Sequence, residues 1–248
     1  MSPANKPFCL LSAPNSGANF VLAKLLDTKK VLVGWAPFNA KSFGGFDDLP
    51  HFDIPRTTLA MMNDASWRDE DSEVYLEHAL GLNGALDDTG VEAIGFKIYR
   101  EHDSARYFRY SFDRRFKQII LRRKSVLAAY AETKLKSETN AWLKHRGAHR
   151  APINVVFDAG EFEEFRALYN GNFASILDNI YESGMEHFDI FYEDLVSCDD
   201  AFPSLCEFIG IGRMGTEARL RPDDPAVVLS QFVNPEAAVS VFEVEQRQ

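Results

Sequence analysis

Near the N-terminus, a short apolar run gives way to Ser12-Ala-Pro-Asn-Ser-Gly-Ala-Asn19, a stretch of small and polar residues around one glycine. Gly17 lets the backbone approach an anion closely, and Ser16 and Asn19 add side-chain donors. If the stretch joins a strand to a helix, the first N–H groups of that helix and its positive dipole end face the same ligand. The chemistry of such a turn is anion binding. A second feature agrees with it. Residues 97–150 hold 15 of the 27 basic residues and only 5 of the 37 acidic ones, a local balance of +10 against −20 for the other 194. The chain as a whole, at −10, would repel DNA. A basic block inside an acidic chain is therefore the footprint of a small, highly charged anion, not of nucleic acid.

Several chemistries are excluded by what the pattern lacks. No Lys follows the glycine, so the turn is not the Walker A loop of nucleoside triphosphate sites, which speaks against a P-loop kinase. It is not the G-x-G-x-x-G turn of dinucleotide sites either. No G-x-S-x-G elbow supports hydrolase chemistry, and no His, Cys and Asp grouping has metal-ligand spacing. Cys9, Cys198 and Cys206 are too few and too scattered for a disulfide framework, and an odd count fits reduced thiols in a cytoplasmic setting. The opening MSPANKPFCLLS lacks the basic start and long apolar core of a signal peptide, and nowhere do 18 apolar residues run together. A cytoplasmic protein without a membrane span is the expectation.

The elements that must position these residues follow from periodicity. PFCLLS, KVLVGW, EAIGFKIY (92–99), FKQIILR (116–122) and HFDIFYEDL (187–195) read as buried strands. Between them, NFVLAKLLDTKK, 72–86, Lys124 to about Arg146, 161–183 and AFPSLCEFIGIG (201–212) read as helices; the 124–146 helix carries Leu127, Ala131, Leu135 and Trp142 on one side. Residues 36–70, dense in Gly, Pro and aromatics, read as an irregular loop region, and 213–248 as an extended C-terminal segment. Strands alternating with helices predict one α/β domain over 1–248, a parallel sheet flanked by helices.

Strand, SAPNSGAN and helix together resemble the 5′-phosphosulfate loop of sulfotransferases, P-[RK]-S-G-[TS]-[TS] after an apolar strand. IILRRKSVLAAYAETKLKSETNAW (119–142) is similar to the strand and helix holding the 3′-phosphate in that family. It is closest to the bacterial nodulation-factor and glycolipid branch, with Thr139 and Trp142 at the T-x-x-W spacing. GFKIYREH (95–102), FDIFYEDL (188–195) and VNPEAAVSVF (233–242) resemble three further segments of that branch, in the same order. The resemblance implies a P-loop-like sulfotransferase fold. It also implies transfer of a sulfuryl group from 3′-phosphoadenosine 5′-phosphosulfate to a hydroxyl of a carbohydrate, glycolipid or small metabolite, with no metal.

Carried over residue by residue, the resemblance makes Asn15, Ser16, Gly17, Ala18 and Asn19 the 5′-phosphosulfate loop. Arg123 or Lys124 becomes the 3′-phosphate ligand, suited to it by guanidinium or ammonium charge. His102 is the implied base and Lys97 the electrostatic stabiliser, with Glu101 and Asp47 as alternative carboxylate bases. Tyr192-Glu193-Asp194-Leu195 reads as a structural strand ending. Two positions depart from the pattern. Asn15 is a neutral amide where the family has Arg or Lys. Glu132 stands where a serine holds the 3′-phosphate, unless the register slips to Thr133; a carboxylate there would be repulsive. These departures give the alternative expectation, an inactive sulfotransferase-like protein that binds a nucleotide or anion.

Overall fold

All five strands read from the sequence form, and they lie in one sheet. The computed structural model describes residues 7–39, 43–47, 49–139, 155–215 and 225–245. Strands β1 (Phe8–Ser12), β2 (Val31–Ala36), β3 (Gly44–Phe46), β4 (Ala93–Tyr99), β5 (Lys117–Arg122) and β6 (His187–Phe191) are ordered β3-β2-β4-β1-β5-β6. Only the β2–β3 pair is antiparallel; the other four pairs are parallel.

Alternation along each strand divides the core between two faces. Phe8 and Leu10 of β1, Val31 and Val33 of β2, and Ile119 and Leu121 of β5 are buried under α1 (Ala18–Asp27), α8 (Tyr192–Ser197) and α9 (Ala201–Ile209). On the opposite face Cys9, Leu11, Phe96, Ile98 and Ile120 meet the larger cluster. That cluster is built from α4 (Ser72–Ala79), α5 (Ser104–Ser111), α6 (Val126–Thr139) and α7 (Ala159–Ser183). Lys97 sits at a position whose neighbours in the alternation, Ala93 and Tyr99, belong to the α1 face, so its side chain rises beneath that helix.

Four expectations need correction. Residues 36–70 hold β3, α2 (Arg56–Met62) and α3 (Ala65–Glu70), where an irregular loop was expected. The Asn63 amide clips β3 in place by accepting from the Phe46 N–H at 2.8 Å and donating to its carbonyl at 3.0 Å. Asp64 then caps α3 by accepting from the N–H groups of Ser66 and Trp67. Second, the C-terminal segment is not extended: it carries α10 (Pro225–Leu229) and α11 (Pro235–Glu245). Pro235 opens α11 at the position where its missing N–H costs nothing, and Ala238 and Phe242 bury its inner face. Third, Tyr192–Leu195 begins a helix and does not end a strand. Fourth, the 72–86 helix stops at Ala79, short of Gly81, which adopts a positive φ. Of the helix expected over 124–146, α6 is described to Thr139; Trp142 lies outside the described residues.

Candidate functional site

Strand order places the turn after β1 at the point where the chain reverses direction across the sheet. From β1 the chain winds outward through α1 to β2, while β4 and β5 flank β1 on its two sides. In open α/β sheets that point leaves a crevice at the carboxyl ends of the strands. Ser12 anchors the turn by donating from Oγ to the Leu121 carbonyl at 2.9 Å. Asn15 and Gly17 both take the left-handed backbone region, at φ 64° and 85°. A Cβ on Gly17 would lie 2.2 Å from a ring carbon of Tyr192, so the position excludes any side chain on two counts. Ser16 is fully buried and its hydroxyl pairs with the Tyr169 hydroxyl at 3.2 Å; that phenol also accepts from the Arg123 N–H at 2.9 Å. Tyr169, from α7, thus ties the turn to the end of β5.

Cations converge on this turn from three elements. From β4, Lys97 donates to the Asn19 side-chain carbonyl on the first turn of α1. Lys97 is only 6 % exposed, and burial first, then the charge of Lys136, hold its ammonium down to about 8. Keeping it charged at neutral pH costs the fold about 3 kcal/mol at that displacement from its ordinary value. From α6, Lys136 donates to the Asn15 side-chain carbonyl, while the amide of Asn15 donates to Thr133 Oγ1 at 2.7 Å. From the end of β5, the buried Arg123 guanidinium donates to the Asn15 backbone carbonyl at 2.8 Å and lies over the Tyr192 ring. Glu132 lies among them, 3.1 Å from Arg123 and 3.5 Å from Lys136, and Glu193 lies 3.7 Å from the Arg123 Nε. The charge of Glu132 is therefore matched by two cations. A carboxylate directed alone at a phosphate does not describe it.

Arg123 and Lys124, alternatives on sequence grounds, part company here. Lys124 is half-exposed and its ammonium pairs with Asp194 at 2.6 Å, away from the turn. Arg123 faces the turn; both residues line a cavity of about 600 Å³, with Arg122, Arg166 and Phe191 and the carboxylates Glu193 and Glu245, so only contact with the turn separates them. One guanidinium thus joins the turn to a basic, partly aromatic cavity large enough for a nucleoside.

Against known proteins, no family model matches the chain and no curated protein matches it. Among solved structures, the chain is similar to a sulfotransferase from Alicyclobacillus acidocaldarius, at 15 % identity, covering 95 % of each chain, with a TM-score of 0.43. Among the described residues no group of His, Cys, Asp and Glu is placed to hold a metal ion, and no helix is long and apolar enough to cross a membrane.

The three candidate bases differ sharply in surroundings. His102 stacks on Tyr99 and its Nδ1 accepts the Tyr99 N–H at 3.4 Å. Burial and the nearby Lys97 charge press it to about 4, so it is neutral at pH 7 and a weak proton acceptor. Glu101 is exposed. Asp47, also exposed, accepts from the Trp35 indole N–H at 2.8 Å, and the face of that indole lies 6.0 Å from the Lys97 ammonium. Sequence reasoning did not single out Lys136 or Tyr169, and it gave Tyr192 only a structural place at a strand end. Lys136 had a signal, since it lies one helical turn beyond Glu132 and Thr133 and shares their face. Tyr169 had none, because a buried aromatic in an amphipathic helix reads as core.

Proposed function

We propose that the protein transfers a sulfuryl group from 3′-phosphoadenosine 5′-phosphosulfate to a hydroxyl of a carbohydrate, glycolipid or small metabolite. The observation that carries this reading is the convergence of Lys97 and Lys136 on the two asparagines of the turn after β1, at a helix N-terminus with no acidic residue in its first turn. Like charges gathered at such a place are a receptor for a tetrahedral oxyanion. The resemblance of five ordered segments to sulfotransferases supports a phosphosulfate as that oxyanion.

In this reading the 5′-phosphosulfate lies against residues 15–19, and the adenosine with its 3′-phosphate enters the cavity beside Arg123. The acceptor oxygen attacks sulfur in line as the bond from sulfur to the bridging oxygen breaks. The electron pair of that bond stays on the phosphate, giving adenosine 3′,5′-bisphosphate, and the acceptor proton passes to a base. Lys97 offsets the charge growing on the leaving oxygen. Asp47, exposed and held at the Trp35 indole N–H, suits the base better than His102, whose low proton affinity opposes that task.

Calorimetric titration with adenosine 3′,5′-bisphosphate tests the nucleotide half. Binding is expected; none at about 1 mM ligand removes the reading. The neutral amide at Asn15, where a cation would offset the leaving charge, favours a second reading, nucleotide binding without transfer. Tight binding without sulfated product across a panel of hydroxyl acceptors selects it.

A further inference from the structure

Position 15 presents a neutral amide to the turn, yet the turn is not short of positive charge. We propose that Lys136 on α6 holds the ligand's tetrahedral oxyanion against the turn after β1, and that Asn15 is the adaptor that delivers it there. The inference rests on the sulfuryl-transfer reading for the ligand's identity, not for its charge.

The geometry supports this in three steps. The Asn15 side chain is engaged at both ends by α6, donating to Thr133 Oγ1 and accepting from Lys136 Nζ. Thr133 is fixed in turn by donating to the Ala129 carbonyl at 2.7 Å. An asparagine held this way commits one side-chain N–H to α6, and its carbonyl steers the ammonium one helical turn along to the mouth of the turn. Lys136 keeps 29 % of its side chain exposed, so it meets solvent and an incoming anion from the same position. Finally, its charge bears on the buried Lys97 across the turn. Two ammonium groups set against one another cost free energy until an anion lies between them. Glu132, 3.5 Å from Lys136 and partly exposed, offsets part of that cost and is placed to give way to a more strongly charged ligand.

The test is a titration of wild type, Lys136→Met, Lys136→Arg and the pair Asn15→Lys with Lys136→Met, each with adenosine 3′,5′-bisphosphate and with inorganic phosphate. Loss of one charge-assisted contact predicts affinity about tenfold or more weaker in Lys136→Met. Lys136→Arg should stay near wild type, because the charge and reach are kept. The paired variant, with the cation returned to the turn itself, should recover most of the loss. Circular dichroism melting confirms that each variant folds. Wild-type binding of the nucleotide with Lys136→Met unchanged overturns the inference and leaves the sulfuryl-transfer reading standing. Binding of inorganic phosphate alone, weakened in Lys136→Met, does the reverse. Wild type binding neither ligand overturns both.

Discussion

The N-termini of α1 and α6 both meet the carboxyl edge of the sheet, and the chain treats them in opposite ways. At α6 the first N–H groups are taken by the chain itself. The Glu245 carboxylate, from the last turn of α11, accepts from the Leu127 N–H at 3.0 Å and from Ser125 Oγ at 3.0 Å. The Ser125 hydroxyl accepts in turn from the Ala128 N–H. At α1 no side chain caps the helix, and the residues gathered there are asparagines and lysines. One end has been closed by an internal anion, and the other is bordered by cations set to receive an anion from outside. The buried charges reflect this. Burial raises the Glu245 carboxyl, and burial together with a like charge lowers Lys97. Each is strained toward neutrality, but Glu245 has the helix to compensate it, and Lys97 has chiefly one amide and two aromatic faces.

Substitutions can break this contrast, and the largest effect belongs to Gly17. Gly17→Ala combines a left-handed backbone with a Cβ pressed into the Tyr192 ring, which predicts a loss of about 3 kcal/mol in stability. Gly184→Ala is the control, since it has a similar φ but nothing within 4 Å, and should cost about 1 kcal/mol. Equal melting temperatures for the two would show that Tyr192 does not clamp the turn. Next is the pair at the end of β5. Arg123→Ala should weaken adenosine 3′,5′-bisphosphate binding about tenfold or more, while Lys124→Ala should stay within about threefold. The opposite order in a titration would move the anion away from the turn and toward α8. The smallest effect is expected at the closed end. Because the folded-state value of Glu245 is raised, the native state holds its proton more tightly than the unfolded chain. Its contribution is full below the ordinary carboxylate value and is lost as pH rises through the raised one. Glu245→Gln should flatten that part of the stability–pH curve in denaturant titrations. It should change stability at neutral pH by less than about 1 kcal/mol.

How much of this the sequence disclosed depended on the range of the interaction. The strands and the turn were legible because short continuous apolar runs and one glycine in a polar stretch are local signals, and β1 with residues 12–19 stands where they put it. β3, α2 and α3 were hidden because Gly44, Gly45, Pro50 and Pro55 outweighed the short cap at Asp64. The partners of the turn were the least legible. Lys136, Tyr169 and Tyr192 lie more than a hundred residues from Asn15, and only the closing of the sheet brings them to it. Glu132 looked like a flaw for the same reason. The sequence displayed the carboxylate but not the two cations that flank it.

The central claim is that Lys97 is kept charged and buried for the sake of a bound anion, at a cost to the fold. Lys97→Met tests it by removing the charge and keeping the length. At pH 7, scanning and titration calorimetry should move in opposite directions. The variant should melt several degrees higher, at about 2–4 °C per kcal/mol regained. It should also bind adenosine 3′,5′-bisphosphate about tenfold or more weaker than wild type. In wild type that affinity should fall as pH rises through about 8, where the buried ammonium loses its proton. The groups facing Lys97 are Asn19, Lys136, His102 and the rings of Trp35 and Tyr99, and none of them provides a carboxylate to reverse that sign. A variant that melts lower than wild type and binds the nucleotide as well would contradict the account.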